Sequence, residues 1–577
     1  MALEKNIQEQ INYWLSDDFD TETQNALQEL IASQNEEELT DSFYKNLAFG
    51  TGGLRGIMGV GANRINKYTI GKATQGFANY LKKTYTDQTI KVAIAYDSRN
   101  NSKAFAQITA DVFAANGITV YIYHELRPTP QLSFTIREMK CQGGVVLTAS
   151  HNPKEYNGYK AYGSDGGQLV APADQQVIDE VNAIASMKEV LFSGNSELIH
   201  VVGEELDQKY RNALKSISLD NGFVKEQKNL KIAFSSIHGT GITQVPPTLS
   251  LWGFENVHIV EEQAEANGNF PTVVYPNPEE QEAMTLLLNQ AKEIDADLGM
   301  ACDPDADRVG LVVKNHKGEF VLLNGNQIGA LLCNYILTRK KEDNALQPGD
   351  YMVRTIVTTD LIDQIGKSMN VPVFHTLTGF KYIGQMITEK AGNERFLVGG
   401  EESYGFMVGE LCRDKDAISA CAFLAEMTAY YKSNGKSLFE ALTDIYAEHG
   451  FYKEKLKSLT KKGKKGAEEI TQLMDQLRQS PSSTLGGEQI ETIIDYQKGE
   501  ATQIATNATS KVNMEKSNVL QFITKGGSTV SVRPSGTEPK IKFYCSAKAP
   551  FGDMNGFDAL NDRMDEAIDK MINDLVG

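Results

Sequence analysis

The chain has 577 residues, 41% hydrophobic and 23% charged, the usage of an ordinary globular protein of about four domains, which excludes a disordered chain, a collagen-like repeat and a disulfide mini-scaffold. Lys and Arg number 57 against 75 Asp and Glu, and the formal charge of −18 repels nucleic acid and anionic lipid. No stretch approaches the roughly 18 apolar residues of a membrane span, MALEKNIQEQ lacks a signal design, and the six cysteines form no CxxC pair, so a cytoplasmic protein with reduced, buried thiols and small-molecule partners is expected.

The first 45 or so residues read as helix, with Ile7, Ile11, Trp14 and Leu15 on one face, a docking extension. A glycine-rich stretch, Phe49–Gly56, follows and contains Arg55. Then a unit recurs. Its first copy has strands Lys91–Tyr96, Ile118–Tyr123 and Gly144–Leu147, with helices to about Asn116 and over Gln131–Met139, and empties into Thr148–Pro153. The second starts at Lys231–Phe234, takes a helix from about Glu279 to Ile294 and a strand Leu298–Ala301, and empties into Asp303–Arg308. The third has strands Tyr351–Val357, Val371–Phe374 and Phe396–Val398, with a helix opened by Thr378-Gly379, and empties into Gly400–Gly405. Strand–helix alternation argues for α/β architecture with ligands at the strand ends.

From about residue 450 the character changes. The cluster Lys461, Lys462, Lys464 and Lys465, broken by glycines, reads as a solvated loop. Ser528–Arg533 and Ile541–Cys545 read as strands, and Phe557–Val576 as a closing helix. The expected fold is three related α/β domains plus a smaller C-terminal α+β domain around a central cleft. The expected divisions are 1–206, 207–323, 324–448 and 449–577.

Four loops carry the chemistry. Asp303, Asp305 and Asp307 alternate, and three carboxylates converge on one cation if the loop curls; hard oxygen ligands suit Mg²⁺. An EF-hand fails, with Arg308 and Lys314 where Gly and Glu belong. Ser150 follows a buried-looking strand and is a candidate nucleophile; adjacent side chains diverge, so His151 is expected to be a poor base for it, and no GxSxG elbow is present. Lys160 is placed to reach back as a charge or proton carrier, and Arg308 to bind phosphate beside the cation. Glu401 and Ser403 offer a carboxylate and a hydroxyl that suit a sugar. The Arg533–Thr537 loop, with Lys540 and Lys542 nearby, can cradle a phosphate. No GxxxxGK[ST] occurs, and GxGxxG fails at Arg55 and at Gln244, so ATP or NAD sites of those types are not indicated.

TASHNP (148–153), DPDADR (303–308), GEESYG (400–405) and RPSGTEP (533–539), in this order across nearly the whole chain, resemble the α-D-phosphohexomutase superfamily and within it the phosphoglucomutases. The resemblance implies four domains around a deep cleft and a phosphoserine at Ser150 that donates and recovers a phosphoryl group. It makes Asp303, Asp305, Asp307 and Ser150 the Mg²⁺ ligands, and Glu401 and Ser403 the sugar contacts. Arg533, Ser535, Gly536 and Thr537 would hold the non-reacting phosphate. Arg55, His151, Lys160 and Arg308 would surround the reacting one, with Lys160 as proton carrier, and Thr378, Gly379 and Lys381 would contact substrate. The implied reaction interconverts glucose 1-phosphate and glucose 6-phosphate through glucose 1,6-bisphosphate. HTLTGFKYI (375–383) and the longer N-terminal region leave phosphomannose or phosphopentose open, with His375 a substrate contact or strand-end packing. A metal-dependent sugar phosphatase or a binding protein without turnover would use the same loops.

Overall fold

The computed structural model describes residues 3–50, 52–461, 463–535 and 540–576. Three helices open the chain, Lys5–Trp14, Thr21–Ala32 and Glu36–Phe43. Ile7, Ile11 and Trp14 are buried and Leu15 packs at the edge of their cluster, so the expected face is the docking face. Trp14 stacks on Phe19 and meets Tyr68 of the first α/β domain edge-on. The buried Arg64 pairs with Glu38 and Asp41 at 2.7 and 2.8 Å, tying the extension to the turn before helix Lys67–Thr84.

The first domain holds β1 (Gly53–Ile57), β2 (Lys91–Tyr96), β3 (Thr119–Tyr123), β4 (Gly143–Leu147), β5 (Tyr156–Gly163) and β6 (Ile199–Val202), in the order β1-β5-β4-β2-β3-β6. The second holds β7 (Ile232–Ser235), β8 (Val257–Ile259), β9 (Leu298–Cys302), β10 (Val309–Lys314) and β11 (Phe320–Leu323), in the order β11-β10-β9-β7-β8. The third holds β12 (Asp350–Thr355), β13 (Val373–Thr376), β14 (Arg395–Gly400) and β15 (Phe406–Val408), in the order β13-β12-β14-β15.

One unit recurs in all three: β5-β4-β2-β3, β10-β9-β7-β8 and β15-β14-β12-β13. Three strands are parallel, and the fourth returns antiparallel beside the third. The parallel strands have helices on both faces and read as apolar runs such as GGVVL and LGMAC. Each chemical loop is the link between the third strand and its return. Each makes that reversal through one non-glycine residue in the left-handed region: Ser150 (φ 53°), Ala306 (φ 49°) and Tyr404 (φ 67°). A side chain there is disfavoured and persists only where surroundings impose it.

The helix expected from about Glu279 begins at Thr285 instead. Pro276 and Pro278 favour extended backbone before them, and Glu280 N–H closes a turn on Asn277 O at 2.9 Å. Part of the lysine cluster also departs from expectation: Lys464 and Lys465 lie in the helix Gly463–Gln479 rather than in a loop, while Lys461 precedes it and Lys462 lies outside the described residues. The helix glycines are outweighed by Ile470, Met474 and Leu477, which bury one face.

The fourth domain is a wholly antiparallel sheet. It comprises β16 (Phe451–Thr460), β17 (Thr484–Leu485), β18 (Glu488–Asp495), β19 (Glu500–Gln503), β20 (Ala508–Lys511), β21 (Leu520–Thr524), β22 (Thr529–Pro534) and β23 (Lys540–Ala549), and it is closed by helix Phe557–Val576. The order is β16-β23-β22-β21-β18-β19-β20, with β17 on β18. The sheet docks on the third domain through Ile356, Leu377, Tyr496 and Val519, and Gln521 donates to Ile356 O at 2.8 Å. The six cysteines are free and buried. Among the described residues no helix is long and apolar enough to cross a membrane.

A buried ion pair fastens the first domain to helix Glu204–Ser216: Arg127 Nη2 lies 2.7 Å from Asp207 Oδ2. Burial raises the Asp207 carboxyl, but the Arg127 hydrogen bond and charge outweigh it and hold the carboxyl below its usual range. A depressed carboxylate stabilises the fold above its unfolded pKa, and that contribution is lost as pH falls through the folded one. Asp207→Asn is therefore expected to cost about 3 kcal/mol at pH 7 by leaving Arg127 buried beside a neutral group, and progressively less below about pH 4. Urea unfolding midpoints at pH 7 and pH 3.5 check this; an equal loss at both would refute it.

Candidate functional site

Ser150 sits three residues past β4, buried, with its N–H donating to Thr148 Oγ1 at 2.8 Å. Its hydroxyl lies 3.1 Å from Asp303 Oδ2 of the second domain and 3.1 Å from His151 Nδ1. The second distance corrects the expectation that the Ser150 and His151 side chains diverge. Neighbours diverge in extended backbone, but the left-handed Ser150 swings them to one side. Burial, and then the charges of Arg308 and Arg55, push the His151 imidazole well below its ordinary pKa, so the ring is neutral and able to accept.

The acidic loop curls as expected. Asp303 Oδ1 accepts from the N–H groups of Asp307 and Arg308 at 3.1 and 3.0 Å. One carboxylate oxygen from each of Asp303, Asp305 and Asp307 falls within 4.8 Å of the others. The loop is held from behind: Thr240 donates through N–H and Oγ1 to Pro304 O at 2.8 and 2.9 Å. Thr129 of the first domain donates to Asp305 Oδ2 at 3.0 Å. Two ammonium groups take the outer oxygens, Lys160 on Asp305 Oδ2 at 2.8 Å and Lys415 on Asp307 Oδ2 at 3.1 Å. The inner oxygens, Asp305 Oδ1 and Asp307 Oδ1, are buried without a hydrogen-bond partner. Buried anionic oxygens left unpartnered are costly. Their all-oxygen donor set fits a hard divalent cation. Burial, then repulsion from Asp307 and Asp305, pushes the Asp303 carboxyl well above its ordinary pKa. Burial acts likewise on Asp307, but Lys415, Lys160 and Arg308 overcome it and hold that carboxyl down.

Arg308 forms an ion pair with Glu279 and places Nε 3.8 Å from Asp307 Oδ1. Arg55 stands exposed on β1, paired in register with Gly158, with Arg308, Asp305 and Asp307 as its electrostatic neighbours. Lys160 is carried in by β5, buried beside Asp305 and Asp307. Burial disfavours its charge, but those two carboxylates more than restore it.

On the third domain Glu401 is buried and its Oε1 accepts from Gly379 N–H at 2.8 Å. Gly379, at φ 122°, supplies a backbone that an L side chain rarely adopts and so aims that N–H at the start of helix Phe380–Lys390. Burial raises the Glu401 carboxyl, against Lys415 and Arg308. Thr378 Oγ1 is buried without a partner, and Ser403 is half-buried two residues beyond Glu401. Lys381 turns away from this group, its Nζ 3.8 Å from Asp174 of the first domain. His375 packs at the strand end, Nε2 3.0 Å from Asp363 Oδ1. On the fourth domain Arg533 pairs in register with Lys542, and Ser535 N–H donates to Lys540 O at 2.8 Å. Gly536 and Thr537 lie outside the described residues.

The structure thus gathers Ser150, His151, Lys160, the three aspartates, Arg308 and Arg55, with Glu401 and Gly379 beside them. Lys415 was missed by sequence reasoning. Its signal was the alternation Arg413-Asp414-Lys415-Asp416 just after the third return strand. Asp414 is fixed by Tyr162 OH at 2.7 Å and Asp416 by Tyr210 OH at 2.8 Å, so the lysine between them is aimed inward.

Comparison with known proteins agrees. Models of the phosphoglucomutase/phosphomannomutase family match in succession: α/β/α domain I over residues 46–188, domain II over 208–318 and domain III over 324–449. A phosphoglucomutase of Staphylococcus haemolyticus is 37% identical over 522 residues, covering 90% of this chain and 94% of that protein. The open form of the Paramecium phosphoprotein pp63/parafusin, a phosphoglucomutase, shares the fold at 18% identity, with a TM-score of 0.68 over 92% of this chain and 96% of that one. The N-acetylphosphoglucosamine mutase of Aspergillus fumigatus, solved with GlcNAc-6P and magnesium, shares it at 14% identity and a TM-score of 0.50 over 99% and 100% of the two chains. The three repeated α/β units, the antiparallel fourth sheet and these matches place the chain in the phosphoglucomutase/phosphomannomutase family of α-D-phosphohexomutases, isomerases that move a phosphoryl group within their substrate.

Proposed function

We propose that this phosphohexomutase is a phosphoglucomutase, interconverting α-D-glucose 1-phosphate and glucose 6-phosphate through phosphorylated Ser150 and bound glucose 1,6-bisphosphate. The observation that carries the reading is the 3.1 Å approach of Ser150 Oγ to Asp303 Oδ2, a nucleophile from one domain beside a carboxylate trio from the next. The names of the curated relatives support the choice of glucose.

Asp303, Asp305 and Asp307, with Ser150 Oγ, would hold Mg²⁺, whose chemistry is to neutralise charge on the phosphoryl oxygens when bound. The chain's own groups do the rest. Lys160 and Lys415 flank the trio as ammoniums, and Arg55 and Arg308 add guanidinium charge, so positioning and electrostatics dominate, as phosphoryl transfer requires. Lys160, kept protonated by Asp305 and Asp307, is the resting proton donor. The neutral His151 ring, 3.1 Å from Ser150 Oγ, is the acceptor when that oxygen gives up its proton. Glu401, Ser403, Thr378 and Gly379 face the sugar, and Lys381, turned toward Asp174 in this structure, joins them only once it leaves that carboxylate. Arg533 and Ser535, with Gly536 and Thr537, hold the phosphate at its far end, and the loop takes either end as the bisphosphate turns over. The four-part division at 206, 323 and 448 belongs to the same proposal.

A panel of glucose, mannose, glucosamine and ribose 1-phosphates at fixed Mg²⁺ tests the sugar. Glucose 1-phosphate is expected to lead in kcat/KM by about tenfold or more, a margin that 1.4 kcal/mol of differential contact provides. A lead for mannose or ribose would replace the sugar while keeping the mutase. Release of inorganic phosphate in place of the 6-phosphate would replace the mutase with a phosphatase.

A further inference from the structure

The loop that carries Ser150 is held from below by a side chain with no part in the chemistry above. The Arg99 guanidinium, just past β2, has no exposed surface. Its Nη1 donates to Pro153 O at 2.8 Å and Tyr156 O at 3.1 Å. Its Nη2 donates to Ser150 O at 2.6 Å and also to Asn152 O. Four main-chain carbonyls between residues 150 and 156 thus converge on one planar fork. Buried Asp97 backs it: Oδ2 lies 3.3 Å from Arg99 Nε, while Oδ1 accepts from Arg99 N–H at 2.9 Å and Ser102 Oγ at 2.7 Å.

The second domain closes over this arrangement. The Phe270 ring lies 5.1 Å from the guanidinium carbon. Gly268 approaches so closely that a Cβ on it would fall 2.3 Å from Asn100 N, and Asn100 Nδ2 donates to Asn269 Oδ1 at 3.0 Å. The fork therefore sits between the loop bearing the nucleophile and the domain bearing the acidic trio.

We infer that Arg99 is a positioning residue for phosphoryl transfer: by gathering the carbonyls of Ser150, Asn152, Pro153 and Tyr156 it imposes the left-handed Ser150 backbone that aims Oγ at Asp303, and through Phe270 it couples that aim to the docking of the first two domains. This rests on the reading of Ser150 as the phosphoryl carrier. Among the described residues, the Arg99 guanidinium meets main-chain carbonyls, Asp97 and Phe270. Lysine keeps its charge but not its planar set of five donors, and so cannot serve carbonyls spread over seven residues.

The test is Arg99→Lys in the full-length enzyme with Mg²⁺, assayed for glucose 6-phosphate from glucose 1-phosphate. Misaiming a nucleophile by about 1 Å costs roughly 10²-fold, so kcat is expected to fall about 100-fold while KM stays within about threefold, the sugar and far-phosphate groups being untouched. Amide hydrogen exchange over residues 148–157 is expected to quicken while the other domains stay protected. A kcat within about threefold of wild type, or a fall in kcat without faster exchange in that loop, overturns the inference. If Arg99→Lys does not fold, Phe270→Ala reads the same coupling, with an expected loss of about tenfold in kcat at constant KM; an unchanged kcat there overturns it. Wild-type enzyme without mutase turnover would instead strike the phosphoserine reading, and the exchange comparison would still report whether Arg99 holds the loop.

Discussion

Ser150→Ala is expected to lower kcat by about 10⁴-fold or more while leaving sugar-phosphate and Mg²⁺ binding within a few fold. The hydroxyls of Thr148 in the same loop and of Thr129 beside Asp305 are already engaged, the first by Ser150 N–H and the second by Asp305 Oδ2. The substitution keeps Cβ, so the left-handed backbone at φ 53° carries the same steric load in both proteins and the fold loses little. What disappears is the oxygen 3.1 Å from Asp303 Oδ2. A coupled assay for glucose 6-phosphate, with calorimetric titration of glucose 1-phosphate in parallel, separates loss of chemistry from loss of binding. A residual rate above about 1% of wild type would remove Ser150 from the reaction path.

Chelation by EDTA is expected to be nearly as severe, about 10³-fold in kcat, and fully reversed by excess Mg²⁺. The reason lies in three carboxylates within 4.8 Å, of which Asp305 Oδ1 and Asp307 Oδ1 are buried with no hydrogen-bond partner. Lys160 and Lys415 neutralise the outer oxygens and do not reach the inner ones by hydrogen bond. Cation binding should also raise the melting temperature, because at about 100 times its dissociation constant a ligand specific for the folded state contributes about 2.7 kcal/mol. Unchanged turnover in EDTA together with an unchanged melting temperature would leave the trio without a cation role.

Much of this was legible in the sequence for a physical reason. Strands β4, β9 and β14 are buried on both faces, so they appear as apolar runs, and the loops after them stand out by composition. The return strand β5 did not appear, because YNGYKAYG at 156–163 mixes core tyrosines with a lysine bound for the site. The fourth sheet was half-legible: β22, β23 and the closing helix carry clear periodicity, whereas ATSK in β20 is exposed throughout and looks like loop. Among site residues, the three aspartates announced themselves by mutual repulsion. Lys415 did not, since a lysine between aspartates looks like a surface ion pair; it does pair with Asp414 at 3.1 Å, but the same ammonium also reaches the buried Asp307 at 3.1 Å. His151 was misjudged because side-chain direction depends on backbone handedness, which the letters Ala149-Ser150-His151 do not disclose. Arg99 gave no signal because its partners are carbonyls, which every residue has.

The antiparallel return beside each third strand has a consequence for register. Side chains alternate along a strand, so a one-residue slip of β5 against β4 would turn all of β5 over. Lys160 would leave Asp305, Tyr162 would leave Asp414, and a side chain would press where Gly158 now leaves Thr148 O only 2.5 Å from the position of a Cβ. The same arithmetic binds the hairpins around Ala306 and Tyr404. Those hairpins are thus held to a register as well as to their chemistry, whereas a connection such as 264–284 has no ladder to keep count.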